Sequence, residues 1–146
     1  VIADALEARV AAFLKALDGR AAGLWRVRGD RLILVAFLPA PGLDPEVAAG
    51  FAAATAEVAL ARVEFSIVLA ATTGAPAVIE VDDESAVAGS RLWLRRLGAD
   101  RSVALPLRAG ADFPVGGVLS IALRGDDPGP VGVAAAARAQ GFDAAG

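Results

Sequence analysis

Between Arg91 and Leu123 the chain reads RLWLRRLGADRSVALPLRAGADFPVGGVLSIAL, and its two strand-like runs are apolar on both faces. Leu92, Trp93, Leu94 and Leu97 form a helical apolar patch, with Arg91, Arg95 and Arg96 on the polar side. Gly98 follows the last periodic residue, where a helix end favours a left-handed conformation. From Ser102 the period falls to two. Val103, Leu105 and Leu107 point one way; Ser102, Ala104, Pro106 and Arg108 point the other. After a turn at Ala109–Pro114, Val115–Leu123 reads as a second strand. Leu119, Ile121 and Leu123 lie on one face, and Val118, Ser120 and Ala122 on the other. Such strands are buried from both sides, so the pattern demands helices on each face of a sheet. Pro106 removes a ladder donor and predicts an edge or a bulge.

The remaining elements fit around this hairpin. Ile2, Leu6, Val10, Phe13, Leu14 and Leu17 recur at helical spacing, and this helix should end near Gly19. Ala5, Ala8, Ala12 and Ala16 form a small-residue stripe along it. The stripe suits close approach of a second helix, or is simply good helix former on an exposed face. Ala21–Arg28 and Arg31–Leu38 read as a hairpin around Gly29-Asp30, a pair that suits a type II′ turn. That register sets Val27 opposite Leu32, Trp25 opposite Leu34, Arg26 opposite Ile33 and Leu24 opposite Val35. Asp44-Pro45-Glu46 is a helix start, with a capping Asp and Pro in the first turn. Val47, Phe51, Ala54, Thr55, Val58 and Arg62 then follow helical spacing. Pro76–Val81 is a further strand, and Asp82-Asp83-Glu84-Ser85 opens the helix that reaches Trp93. Arg124–Pro130 reads as a turn or linker, Val131–Gln140 as a short Ala-rich helix, and Gly141–Gly146 as a loose end.

Several of these segments together resemble the GAF domain family. They are Leu97–Leu107, Gly116–Ile121, Thr73–Ile79 (TGAPAVI), Gly23–Val27 and Asp30-Arg31-Leu32, and the likeness covers roughly residues 2–124. The resemblance implies an α+β fold of the profilin-like kind: an antiparallel sheet of five or six strands with helices on both faces. It resolves the ambiguous Phe65–Ala71, rich in β-branched residues, as a short helix. It divides the chain into a GAF-like domain over 1–124 and a linker with a short Ala-rich helix or tail over 125–146. It also implies a small sensory or regulatory module in a signalling or transcription-regulating protein, with a flanking signalling domain as partner. A ligand would lie between one sheet face and its covering helices. By their places on the elements, the candidates are Phe37, Phe51, Thr55, Val81, Asp82, Ser90, Trp93 and Ser102. The other expectation is a ligand-free module for docking or for homodimerisation through Ala5, Ala8, Ala12 and Ala16. The chain begins at Val1 and holds no Met, which reads as a processed chain or an excised piece.

Absent residue types narrow the chemistry. The chain has no Cys, His, Met, Tyr or Asn. Thiolate and imidazole metal sites, disulfides and a Ser-His-Asp triad are therefore excluded. Within the family the same absences exclude covalent bilin attachment, cysteine-dependent sulfoxide reduction, the usual haem ligand and the cyclic-nucleotide signature. No cofactor, metal or catalytic residue is expected, and the chain does not read as an enzyme. Asp82, Asp83 and Glu84 could bind a hard cation, but as helix-start residues they need no ion. Ser102 and Ser120 read as sheet hydroxyls with nothing to activate them. Trp93 suits a pocket wall and an interface filler equally. The formal net charge is −3 with scattered charges, so nucleic acid is a poor partner. No apolar run is long enough to span a bilayer, and a cytoplasmic location without membrane contact is expected.

Overall fold

The computed structural model describes Ile2–Asp82 and Ala88–Ala144. In chain order the elements are α1 (Ile2–Ala16), β1 (Ala21–Arg28), β2 (Arg31–Pro39), α2 (Pro45–Ala54), β3 (Glu57–Ala59) and α3 (Ser66–Thr73), followed by β4 (Ala77–Glu80), α4 (Ala88–Leu97), β5 (Arg101–Leu107), β6 (Gly117–Leu123) and α5 (Pro130–Ala139). Among the described residues six strands form one antiparallel sheet in the order β3-β2-β1-β6-β5-β4. The β5–β6 hairpin stands beside β1 rather than at an edge, so its strands are covered on both faces. On one face α1 and α5 bring Val10, Phe13, Val133, Ala134 and Ala137 onto Leu24, Val103, Leu105, Leu119, Ile121 and Leu123. On the other face α2, α3 and α4 cover Trp25, Ala104, Val118 and Ala122. The two-sided apolar pattern thus has its physical cause in two helical layers.

Local signals act where expected. Asp44 caps α2 by accepting from the Glu46 amide at 2.9 Å, and Pro45 fills the first turn. Gly98 takes φ 71° after α4; its N–H donates to Arg95 O at 3.1 Å and the Ala99 N–H to Leu94 O at 2.9 Å. That pair of bonds is a Schellman closure. Gly29 has φ 63° in the β1–β2 turn, and the Val27–Leu32, Arg26–Ile33 and Trp25–Leu34 pairs form as expected. Phe65–Ala71 contributes to a helix, α3.

Other expectations are corrected. Leu24 faces Ala36, not Val35, because a bulge between Leu24 and Trp25 shifts the register. Val35 then joins Leu24, Ala36 and Leu38 in the α1-side core, so the extra residue brings more apolar volume under α1. The helical spacing of Val58 and Arg62 does not continue α2. Glu57–Ala59 instead pairs with Arg31–Ile33 as β3, satisfying the edge of β2 and burying Val58 beside Leu32 and Trp25. Leu92 is 43% exposed, because it lies almost opposite Leu94 on the helix while Leu94 and Leu97 face the sheet. Pro106 sits in an unbulged pair with Val118, and β4 stops opposite Ala104, two residues short of it. Gly141–Ala144 is packed rather than loose. Phe142 meets Phe13 edge to face at 6.4 Å, and Leu107 bridges to Ala144. Residues 83–87 of the expected helix start lie outside the described residues.

Candidate functional site

The α2–α4 face of the sheet carries small residues at its centre. Ser102, Ala122 and Ala21 stand side by side across β5, β6 and β1, and Ala104, Ser120 and Gly23 form the next row. Six small positions in two adjacent rows on three neighbouring strands leave a dell that the helices do not fill. Trp25 leans into it from β1. A Cβ at Gly23 would lie 2.5 Å from the Trp25 ring, so this glycine is the seat on which the indole rests. The Trp25 Nε1–H donates to Thr55 O at 2.8 Å, which ties the ring to the end of α2. Thr55, 3% exposed, donates its own hydroxyl to Phe51 O at 2.8 Å. This bond draws the chain back at the point where α2 ends.

A cavity of about 70 Å³ remains between the dell and the helices. Its outer wall is aromatic. Phe37 and Phe51 lie 5.2 Å apart between ring centroids, and Trp93 meets Phe51 edge-on at 5.5 Å. Arg96 stacks over Trp93 from outside at 5.0 Å. The polar groups of the wall are hydroxyls: Thr55, Ser66, Ser102 and Ser120. Ser66 and Ser102 stand 3.4 Å apart, while Ser120 has no hydrogen-bond partner among the described residues. No charged side chain lines the cavity among the described residues. Its chemistry is that of an apolar space with weak donors and acceptors, suited to a small uncharged guest.

Of the candidates named from sequence, Phe37, Phe51, Thr55, Trp93 and Ser102 are brought together on this wall. Val81 packs at the end of β4 with Ile79 and Leu94, beside the cavity but off its lining. Asp82 is exposed and also off the lining. The Ser90 side chain and residues Asp83 and Glu84 lie outside the described residues, and no cluster of metal-ligating side chains occurs among those described. Sequence reasoning missed Trp25, Gly23, Ser66 and Ser120. A signal for Ser120 was present: the alternation Val118-Ser120-Ala122 puts no large side chain on one face of a central strand.

No protein-family model matches the chain, and no curated protein matches it. Solved structures do. The GAF domain of a two-component sensor histidine kinase from Bacillus halodurans superposes with TM-score 0.68 at 14% identity, over 96% of this chain and 88% of that one. The chain has the GAF-domain fold. A GAF domain/HD domain protein from Geobacter sulfurreducens gives TM-score 0.67 at 14% identity, over 95% of this chain and 86% of its own. Free methionine-R-sulfoxide reductase from Neisseria meningitidis, solved with its substrate, gives TM-score 0.63 at 18% identity, over 94% and 74%. The GAF fold is therefore shared here by a domain of a sensor histidine kinase and by an enzyme.

Proposed function

We propose that this GAF-like chain is a sensory or regulatory module of a larger signalling or transcription-regulating protein, and that its sensing site is the cavity over β1, β5 and β6. The observation that carries this reading is the uncharged space left by Ala21, Gly23, Ser102, Ser120 and Ala122, with the Ser120 hydroxyl unengaged among the described residues. The ligand is a small uncharged molecule, because the wall offers hydroxyls and aromatic faces and no countercharge. Phe37, Phe51, Thr55, Trp93 and Ser102 contact it. The reading is non-enzymatic: without Cys or His the chain lacks the usual nucleophile and general base. Flanking signalling domains are the natural partners. No helix among the described residues is long and apolar enough to cross a membrane, and we place the module in the cytoplasm.

The test is a thermal melt with small uncharged probes such as phenol, indole and acetone. A probe at 100 times its dissociation constant should add about 2.7 kcal/mol of stability, visible as a raised Tm. Ser120→Leu, which fills the dell, should abolish that shift without unfolding the domain. Trp93 emission should change on binding, read in a Trp25→Phe background. The absence of any shift in a broad panel would discard the sensing site.

The cavity volume favours a second reading. At about 70 Å³ it is far below the ~300 Å³ at which drug-sized ligand pockets begin. In that reading the domain binds nothing and acts as a docking or homodimerisation module. Ala5, Ala8 and Ala16 are exposed on α1 with Ala12 half-buried beside them, which leaves the helix surface open to a second copy.

A further inference from the structure

On the α1 side of the sheet, across β1 from the small-residue dell, α1, the β5–β6 turn and the segment after α5 border an open groove of about 510 Å³. This volume lies within the roughly 300–1,000 Å³ typical of small-molecule sites. The floor is apolar: Leu6, Leu24, Val35, Leu107 and Phe142 line it. Phe113 stands at the groove 59% exposed, and a Cβ at Gly116 would meet nothing within 4 Å. Apolar surface and open space therefore adjoin.

The charges on the groove are unbalanced. Among the described residues Arg9, Arg26 and Arg108 line it against a single carboxylate, Asp143. Arg108 donates through Nη2 to Gly74 O at 2.8 Å. Arg9 and Arg26 are exposed and have no ion pair or hydrogen bond among the described residues. Two guanidinium groups that form no ion pair among the described residues flank an apolar floor on a chain whose net charge is −3. A guanidinium takes a carboxylate through two parallel N–H···O bonds, and the floor takes an alkyl chain.

We propose that this groove binds an amphipathic carboxylate: an alkyl carboxylic acid with its head at Arg9 and Arg26 and its chain along Leu24, Val35, Leu107 and Phe142. The site is separate from the uncharged cavity and stands or falls independently of it. It contacts both α1 and the segment after α5, so occupancy joins elements from opposite ends of the described chain.

The experiment is calorimetric titration of the intact chain with decanoate, decanol and decyltrimethylammonium, paired with thermal melts. Decanoate should bind saturably and raise Tm, while decanol and the cation should bind at least about tenfold more weakly. Arg9→Gln combined with Arg26→Gln, both surface changes checked by circular dichroism, should weaken decanoate at least about tenfold. Ser120→Leu should leave decanoate binding unchanged, which separates this site from the cavity. The proposal is overturned by no saturable binding up to about 1 mM, by equal binding of decanol, by an unaffected double variant, or by loss of binding in Ser120→Leu. Tighter binding to anionic phospholipid vesicles than to decanoate would also overturn it in favour of a membrane surface.

Discussion

Two adjacent residues at the end of α1 show how one position's needs fix its neighbour's. The left-handed residue there is Asp18, with φ 49°, although Gly19 is the residue that adopts that conformation without strain. Gly19 is used for space instead: a Cβ on it would lie 2.7 Å from Ile121 Cδ1 and 3.0 Å from Leu14 Cδ1. The turn therefore closes one residue early, and the Gly19 N–H reaches Leu14 O at 3.0 Å. Gly19→Ala should cost about 1–3 kcal/mol through overpacking, read from the urea midpoint at unchanged m-value. A neutral result would mean that Ile121 has a second rotamer available. The same logic holds at Gly23, where the missing side chain is the space in which the Trp25 ring rests.

At the scale of elements, β1 is where the two cores meet. Leu24 and Trp25 are consecutive, 7% and 1% exposed, and bury into opposite layers. Leu24→Ala should cost about 2–5 kcal/mol and Trp25→Ala about 3–5 kcal/mol. A denaturant melt in which either is near neutral would show that its layer is not tightly packed. α5 is the second case. Val133, Ala134 and Ala137 are completely buried in the α1-side core, and Phe142 follows them. A chain ending at Arg124 should therefore lose its sharp thermal transition, measured by circular dichroism. Retention of a cooperative melt would mean that α5 covers a core already sufficient without it.

At the scale of the molecule, a central sheet clad on both faces leaves α1 as an outer element with a small-residue surface. If that surface joins two copies in a symmetric pair, Ala8→Glu with Ala12→Glu should give monomers that still melt cooperatively. Light scattering is the measurement, and a monomeric unmodified chain at high concentration would discard the pairing. The two candidate ligand sites lie on opposite sides of the sheet and differ in charge. An uncharged guest should shift the melt of the Arg9→Gln, Arg26→Gln variant normally, and a carboxylate that of Ser120→Leu.

What the amino-acid order determined by itself is what acts over a few residues. The alternation in Ser102–Leu107 and Val118–Leu123 made these strands apolar on both faces, and that required two helical layers. Asp44-Pro45-Glu46, Gly29-Asp30 and Gly98 placed a cap, a hairpin turn and a helix stop, each through one or two backbone groups nearby. The tertiary structure decided whatever depended on a distant partner. The edge of β2 took Glu57–Ala59 into the sheet although Val58 and Arg62 keep helical spacing. The core under α1 took both Val35 and Ala36, which displaced the register by one. The Ala-rich α5 has little volume of its own, and it is buried because Phe13 and Leu105 present a surface that its small side chains fit. The cavity, too, is a non-local quantity: Phe37, Phe51, Thr55, Trp93 and Ser102 could be read from their positions along the chain. Its volume is the difference between what the small sheet residues leave open and what Trp25 and three helices occupy, and only packing sets that difference.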